Sequence, residues 1–326
     1  MWLVAAIRVW PAIAPAPRAT PTPRPSGDVE VVRLAGRVAV SAGGEVFVIA
    51  DGRMTRIGSG AGRHDPALSA DGTKIAFTLD QNIDGNRVFD GQTVPAHLAY
   101  SNVVWRNTSG GAEETLVNGL QKRDPTGFHV VEFESQPAWS PDGAAVAFIS
   151  DGGAGAELQI ITLATKRIAM LSQGSVLADP AWAPDGKTIA VTTYTQGTPA
   201  LLLVAVDGRS PGERLRIARE GEVYRPSYSP DGKWIVATLR STRGNDLVAV
   251  EVATTRVVDL TSDGKSWGGV FSPDGTQVAF LREHDGGIDL FAIDVREALA
   301  GGSPKAGQQV TRDGRLDGTS RPSWSR

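Results

Sequence analysis

The pattern in the 326-residue sequence that most resembles a metal site is Asp80-Gln-Asn82-Ile-Asp84-Gly85-Asn86. Side-chain oxygens at alternate positions followed by glycine match the opening of a calcium loop, where hard oxygen ligands converge on one ion. The glutamate that such a loop carries at its twelfth position is absent: Gly91 stands there, preceded by Asp90. Two readings follow: a calcium site on Asp80, Asn82 and Asp84 that stiffens an insertion, or a polar Asx-rich loop between two strands. The four histidines, His64, His97, His129 and His284, form no His-x-His or His-x-x-x-His pair. They are expected to be scattered at the surface, with no metal cluster of their own.

Other chemistries lack their residues. The absence of cysteine excludes a thiol nucleophile, a disulfide framework and a Cys-ligated zinc or iron–sulfur site. The sequence has no Gly-x-Ser-x-Gly elbow, no phosphate-binding Gly-x-x-x-x-Gly-Lys-Ser/Thr loop and no dinucleotide fingerprint. A formal charge of −3 without a basic block gives no footprint for nucleic acid. No catalytic residue is assigned.

The elements that must position any site are set by a repeat. A phrase built on Ser-Pro-Asp-Gly, preceded by an aromatic residue and followed by an apolar run, recurs at Pro66–Gly72, Pro137–Gly143, Pro180–Gly186, Pro226–Gly232 and Gly269–Gly275. The chain stops at Pro322-Ser-Trp324-Ser-Arg326, the front half of another copy. Its aspartates, Asp71, Asp142, Asp185, Asp231 and Asp274, are 71, 43, 46 and 43 residues apart. A period near 44 is that of one four-stranded propeller blade. Proline fixes φ, aspartate bonds the backbone two residues on, and glycine takes positive φ, so the phrase is a tight turn and its aspartates are structural. The 38 glycines and 20 prolines suit many short strands better than helices. One short helix is expected from Val295 to Ala300, capped by Asp294 and stopped by Gly301.

These features predict an all-β, six-bladed propeller of four-stranded antiparallel blades over residues 27–326. Gly36–Ser41, Glu45–Ile49 and Arg53–Ile57 supply the strands that the last half-copy lacks. Pairing the C-terminal strand with them closes the ring and removes exposed sheet edges. The long first interval holds two insertions, at about 79–100 and 120–135, expected beside the channel mouth or over the edge of the first blade; the apolar Phe128–Phe133 stretch is expected to cover a groove or meet a partner. Residues 1–26 hold six prolines and Arg8, Arg18 and Arg24 without an acid. They read as a Pro-rich tail, or as the remnant of an export signal or membrane anchor followed by a Thr/Pro spacer.

The repeated Pro-x-Trp-Ser-Pro-Asp-Gly followed by lysine and an Ile-Ala-Phe-type strand resembles the WD-like repeats of the TolB-like β-propeller family, over about 290 residues. The resemblance covers the propeller only, without the small domain that precedes it in TolB. It implies a repeat protein outside the cytoplasm, in the periplasm or at the cell surface, that binds protein.

In a ring, the residues leading into the innermost strands converge on the channel mouth. Here they are His64, Asp65, Gln136, Asp179, Tyr224, Arg225, Trp267 and Arg321. Two arginines and two aspartates in one ring either hold a carboxylate, peptide or chain terminus, or pair with each other across the mouth. The function expected is a monomeric, non-enzymatic scaffold that binds a protein or peptide at that mouth, with no cofactor unless calcium. The alternative is a propeller enzyme or carbohydrate binder of the lactonase or lyase type, using a metal or acidic residues there.

Overall fold

The computed structural model describes residues 34–326 apart from 90–91, 123–128, 154, 175, 196–197, 211 and 218. The expected tail, Phe128 and part of the 27–34 stretch lie outside the described residues. The fold is an all-β propeller: among the described residues strands make up nearly all the regular structure, beside one four-residue helix, Arg296–Leu299. The N-cap is Val295, without a side-chain cap bond, and not the expected Asp294, which lies one residue earlier and accepts the Arg296 backbone N–H at 3.1 Å.

Four sheets have four strands each, and one has eight. The eight-stranded sheet consists of two antiparallel meanders joined by a single parallel bridge, Phe133 to Ser101. The innermost strands are Arg63–Leu68, Phe133–Trp139, Leu177–Trp182, Glu222–Tyr228, Ser266–Phe271 and Ser323–Ser325. Each lies beside the next, and the last lies beside the first.

Closure is made where the sequence places it. Ser323–Ser325 pairs antiparallel with Arg37–Ala42 through Arg37↔Ser325, Val38↔Trp324 and Ala39↔Ser323. The Trp324 indole N–H also donates to Ala35 O at 2.8 Å. Gly36 sits at φ +80° against this strand, and a Cβ there would fall 2.1 Å from Ser325 O. Only glycine allows that approach.

The repeated turn explains its own residue types. Ser229 Oγ donates to Asp231 Oδ1 at 2.6 Å and accepts the Trp234 N–H at 3.0 Å, while Asp231 accepts the Lys233 N–H at 3.1 Å. The same set recurs on Ser69, Ser140 and Ser272. The tryptophan two residues before Pro-Asp-Gly joins neighbours: Trp139 Nε1 donates to Ala67 O and Trp182 Nε1 to Ala138 O, each at 3.0 Å. Apolar side chains from adjacent sheets fill the spaces between them, with Phe77, Phe148 and Phe280 among the largest fully buried.

The first insertion is not a loop. Lys74–Phe89 and Gln92–Asn107 are continuous strands, in register from Lys74↔Asn107 to Phe89↔Gln92. This replaces the loop that the calcium reading presupposes. On a strand, positions 80, 82 and 84 point to one face about 6–7 Å apart in sequence, too far for all three to reach an ion at about 2.4 Å. Asp80 bonds His64 at 3.1 Å and Asp84 bonds His97. The second insertion contains a small strand pair, Leu120–Lys122 with His129–Val131.

Candidate functional site

The innermost strands share one distortion. Each of five has a β-bulge two residues before its apolar end, between His64 and Ala67, Ser135 and Ala138, Ala178 and Ala181, Tyr224 and Ser227, and Trp267 and Val270. The bulged residue takes left-handed φ every time: Asp65 at +51°, Gln136 at +53°, Asp179 and Arg225 at +55°, and Gly268 at +66°. Non-glycine residues held there cost about 1–3 kcal/mol each, and such strain gathers at functional sites.

A repeated hydrogen bond sustains the distortion. The bulge turns its N–H toward the neighbouring sheet: Gln136 donates to Thr78 Oγ1 at 3.1 Å, Arg225 to Thr192 Oγ1 at 3.0 Å and Gly268 to Thr238 Oγ1 at 3.0 Å. All three threonines are fully buried. Ile149 takes the threonine's place in the Ala145–Asp151 strand and cannot accept; Asp179 N–H donates instead to Gln136 Oε1 at 2.7 Å. Asp65 N–H donates to Ser320 Oγ at 3.0 Å. A β-bulge of this kind re-aims its side chain.

The structure gathers Asp65, Gln136, Asp179 and Arg321 around one small cavity of about 20 Å³ with Pro66 and Pro137. Arg321 is its centre. Its guanidinium donates to Pro180 O at 2.9 Å and to Pro226 O, crossing the axis of the ring. Desolvation pulls its pKa below the usual arginine range, while Asp179 and Asp65 oppose that and Arg225 adds to it. Behind Arg321 the channel widens into a cavity of about 260 Å³ lined by prolines, Trp139, Trp182, Tyr228, Phe271 and Trp324.

The charged groups do not simply neutralise one another. Arg225 Nε lies 3.9 Å from Asp179, and its other nitrogens donate to Gly318 O at 3.0 Å and Thr319 O at 2.5 Å. Asp179 accepts from Thr192 Oγ1 at 2.9 Å. His64 bridges Asp65 at 2.8 Å and Asp80 at 3.1 Å. Burial alone would lower its pKa, but hydrogen bonds and charge from Asp65 and then Asp80 outweigh that and raise it to about 9. The imidazolium is therefore charged at neutral pH. Among the described residues nothing takes the side-chain nitrogen of Gln136.

Tyr224 and Trp267 do not line the central cavity. Tyr224 OH donates to Asn245 Oδ1 at 3.0 Å beneath Arg240, and Trp267 Nε1 donates to Gly318 O at 3.0 Å. They flank the mouth. Sequence reasoning missed the threonines, whose signal was a polar residue closing the apolar run at Phe77-Thr78, Val191-Thr192 and Ala237-Thr238. It also missed Glu134, which is 2% exposed. Burial raises its pKa to about 8, opposed by Ser150 and reinforced by Glu132 and Glu157. Ser150 donates to its Oε1 at 3.2 Å, while Oε2 receives no donor.

Comparison with known proteins gives the family. The TolB beta propeller domain family matches residues 103–325, more than half of the chain. The Tol-Pal system protein TolB of Francisella tularensis subsp. mediasiatica is 29% identical over 167 residues, 49% of this chain and 38% of that protein. The match thus spans well under two thirds of that relative's length. Among solved structures, TolB from Acinetobacter baumannii aligns with a TM-score of 0.65 at 19% identity, over 89% of this chain and 67% of that one. An oligogalacturonate lyase in complex with manganese shares the fold at a TM-score of 0.54 and 14% identity, over 82% of this chain and 70% of that one. With the repeated turn, the closed ring and the family match in agreement, this chain belongs to the TolB β-propeller domain family.

Proposed function

We propose that this protein is a non-enzymatic, extracytoplasmic scaffold that holds an extended segment or chain terminus of a protein partner at the polar mouth of its channel. The observation that carries this reading is the ring of left-handed residues, which places Asp65, Gln136 and Asp179 side by side around Arg321. Carboxylate acceptors and an open amide donor at that spacing suit peptide N–H and C=O groups. The resemblance to a Tol-Pal system protein supports a protein partner and a place in the cell envelope. In this reading the eight-stranded sheet counts as two blades, giving six, and the chain acts as a monomer. Residues 1–26 serve as a spacer or membrane tether.

A photo-crosslinking residue at Gln136, compared with one at Lys187 on the opposite turns, tests the assignment in cells. A discrete protein adduct is expected from position 136 alone. No adduct, or equal adducts from both positions, would sink it. Cell fractionation checks the compartment, and a strictly cytosolic product removes the envelope reading. Stoichiometric manganese or calcium required for a mouth-dependent sugar or lactone cleavage would replace the scaffold with an enzyme.

A further inference from the structure

A second concavity lies between two neighbouring sheets, and its origin is a break in the repeat. Three residues after the repeated aspartates stand Lys74, Ala145, Thr188, Trp234 and Gln277, of which Ala145 is the smallest. Lys74 fills the join to the next sheet. Its Nζ lies 5.3 Å from the centre of the Trp105 ring and 5.6 Å from that of Trp139. The two indoles meet edge to face at 6.1 Å, and Trp139 is buried.

One sheet further on, the same places hold smaller groups. Ala147 pairs with Ile160 as Ala76 pairs with Trp105, and each alanine packs toward the tryptophan of the following sheet. Ala145 therefore stands for Lys74, Ile160 for Trp105 and Trp182 for Trp139. Between them is a cleft of about 450 Å³. Ile160, Trp182 and Val206, all only partly buried, form its apolar wall. Asp142 and Asp185 also line it, and neither forms an ion pair among the described residues. No basic side chain lines the cleft; the nearest cations by register and sequence, Arg167 opposite Thr162 and Lys187 beside Gly186, are exposed.

We propose that this cleft binds a small primary alkylammonium ion, its aliphatic stem on Ile160 and Val206 and its charge against Trp182 and the carboxylates of Asp142 and Asp185. The face of an indole attracts a cation, and the join one sheet away already holds an ammonium on an aliphatic stem, that of Lys74. The volume falls within the range of small-molecule sites, about 300–1,000 Å³. The site arises at side chains that break the repeat beside the turn, and it does not depend on what binds at the mouth.

The test follows the Trp182 indole N–H by NMR while the full chain is titrated with n-pentylamine hydrochloride at neutral pH, with pentanol and sodium pentanoate as controls. A saturable shift is expected, with each control about fivefold or more weaker. Ala145→Lys should abolish saturation, because it gives the site its own ammonium as Lys74 does. The D142N/D185N double variant keeps an acceptor oxygen in both turns and should bind the amine about threefold or more weakly; it decides the matter if Ala145→Lys fails to fold. An amine that does not saturate the wild type, or pentanol that binds as tightly, overturns the site. So does amine binding that both variants leave unchanged.

Discussion

The two ends of the central channel are built from the same strands by opposite rules. At one end, Ser-Pro-Asp-Gly turns repeat nearly unchanged, and prolines 141, 184, 230 and 273 border a cavity of about 580 Å³ that also holds Arg326. At the other, the backbone repeats in five of the six innermost strands, with one left-handed bulge in each, yet the side chains differ: Asp65, Gln136, Asp179, Arg225 and Gly268. Where the residues repeat, they satisfy local backbone needs that are the same in every sheet. Where only the backbone repeats, side-chain identity is free to carry recognition.

If both ends depend on a closed ring, breaking closure should remove both, and this is the largest effect expected. Deleting Ser323–Arg326 strips the innermost strand from the closing sheet and exposes the edge of Arg37–Ala42. No cooperative thermal transition should remain. Trp324→Ala is the graded version: loss of a large buried aromatic costs about 3–5 kcal/mol, on the order of 10 °C for a domain of this size. Unchanged melting of the deletion would mean that the ring holds without its latch.

The same contrast accounts for what could be read in advance. The turns, the strand order and the latch were legible because each is encoded within about ten residues, by Pro, Asp, Gly and an apolar run. The mouth residues could be nominated because the repeat fixes their position. Their partners could not: the acceptor for Gln136 N–H is Thr78, in another meander of the chain, and Arg321 reaches Pro180 and Pro226 across the ring. Asp80, Asn82 and Asp84 misled for a related reason. Their local pattern fits a loop, but cross-strand pairing with residues 97–101 extends the strand through them. Glu134 carries no local signal, because its burial depends on Ser101, Ser150 and Glu157 from neighbouring strands.

The two ends should also respond oppositely to pH. At the mouth, the His64 pKa rises from 6.5 to about 9, so the folded state binds its proton more tightly than the unfolded chain does. That contribution is fully present below pH 6.5 and is lost as pH rises through 9. It is on the order of 1–2 kcal/mol after allowance for partial exposure. At the turns, hydrogen bonds from Ser69 and Thr73 lower the Asp71 pKa from 3.8 to about 2. Its contribution is present above 3.8 and is lost as pH falls through 2. His64→Gln should therefore flatten the alkaline side of a stability–pH curve and leave the acid side intact. A variant whose alkaline slope equals that of the wild type would show that His64 is not held by Asp65 and Asp80. Glu134→Gln is the companion measurement, because an acid raised from 4.5 to about 8 makes stability fall across that interval.

The smallest effect tests the regular end, and the protein contains its own comparison. In the third repeat, Ala183 replaces the serine of the other turns, and Asp185 keeps only its bond from the Lys187 N–H at 2.9 Å. The backbone turn survives: Gly186 N–H still donates to Ala183 O at 3.0 Å, as Gly232 does to Ser229 O at 2.9 Å. The hydroxyl is therefore an addition to a turn that Pro-Asp-Gly already makes. Ser229→Ala removes a donor to Asp231 and an acceptor for Trp234 N–H, and should cost about 1 kcal/mol. Ala183→Ser should add a similar amount, because the receiving groups are already in place. Both shifts are read by denaturant midpoint at neutral pH, and mouth crosslinking should be unaffected. If Ser229→Ala instead abolishes the crosslink at Gln136, the two ends are coupled through the strand between them. The division between a structural end and a recognising end would then fail.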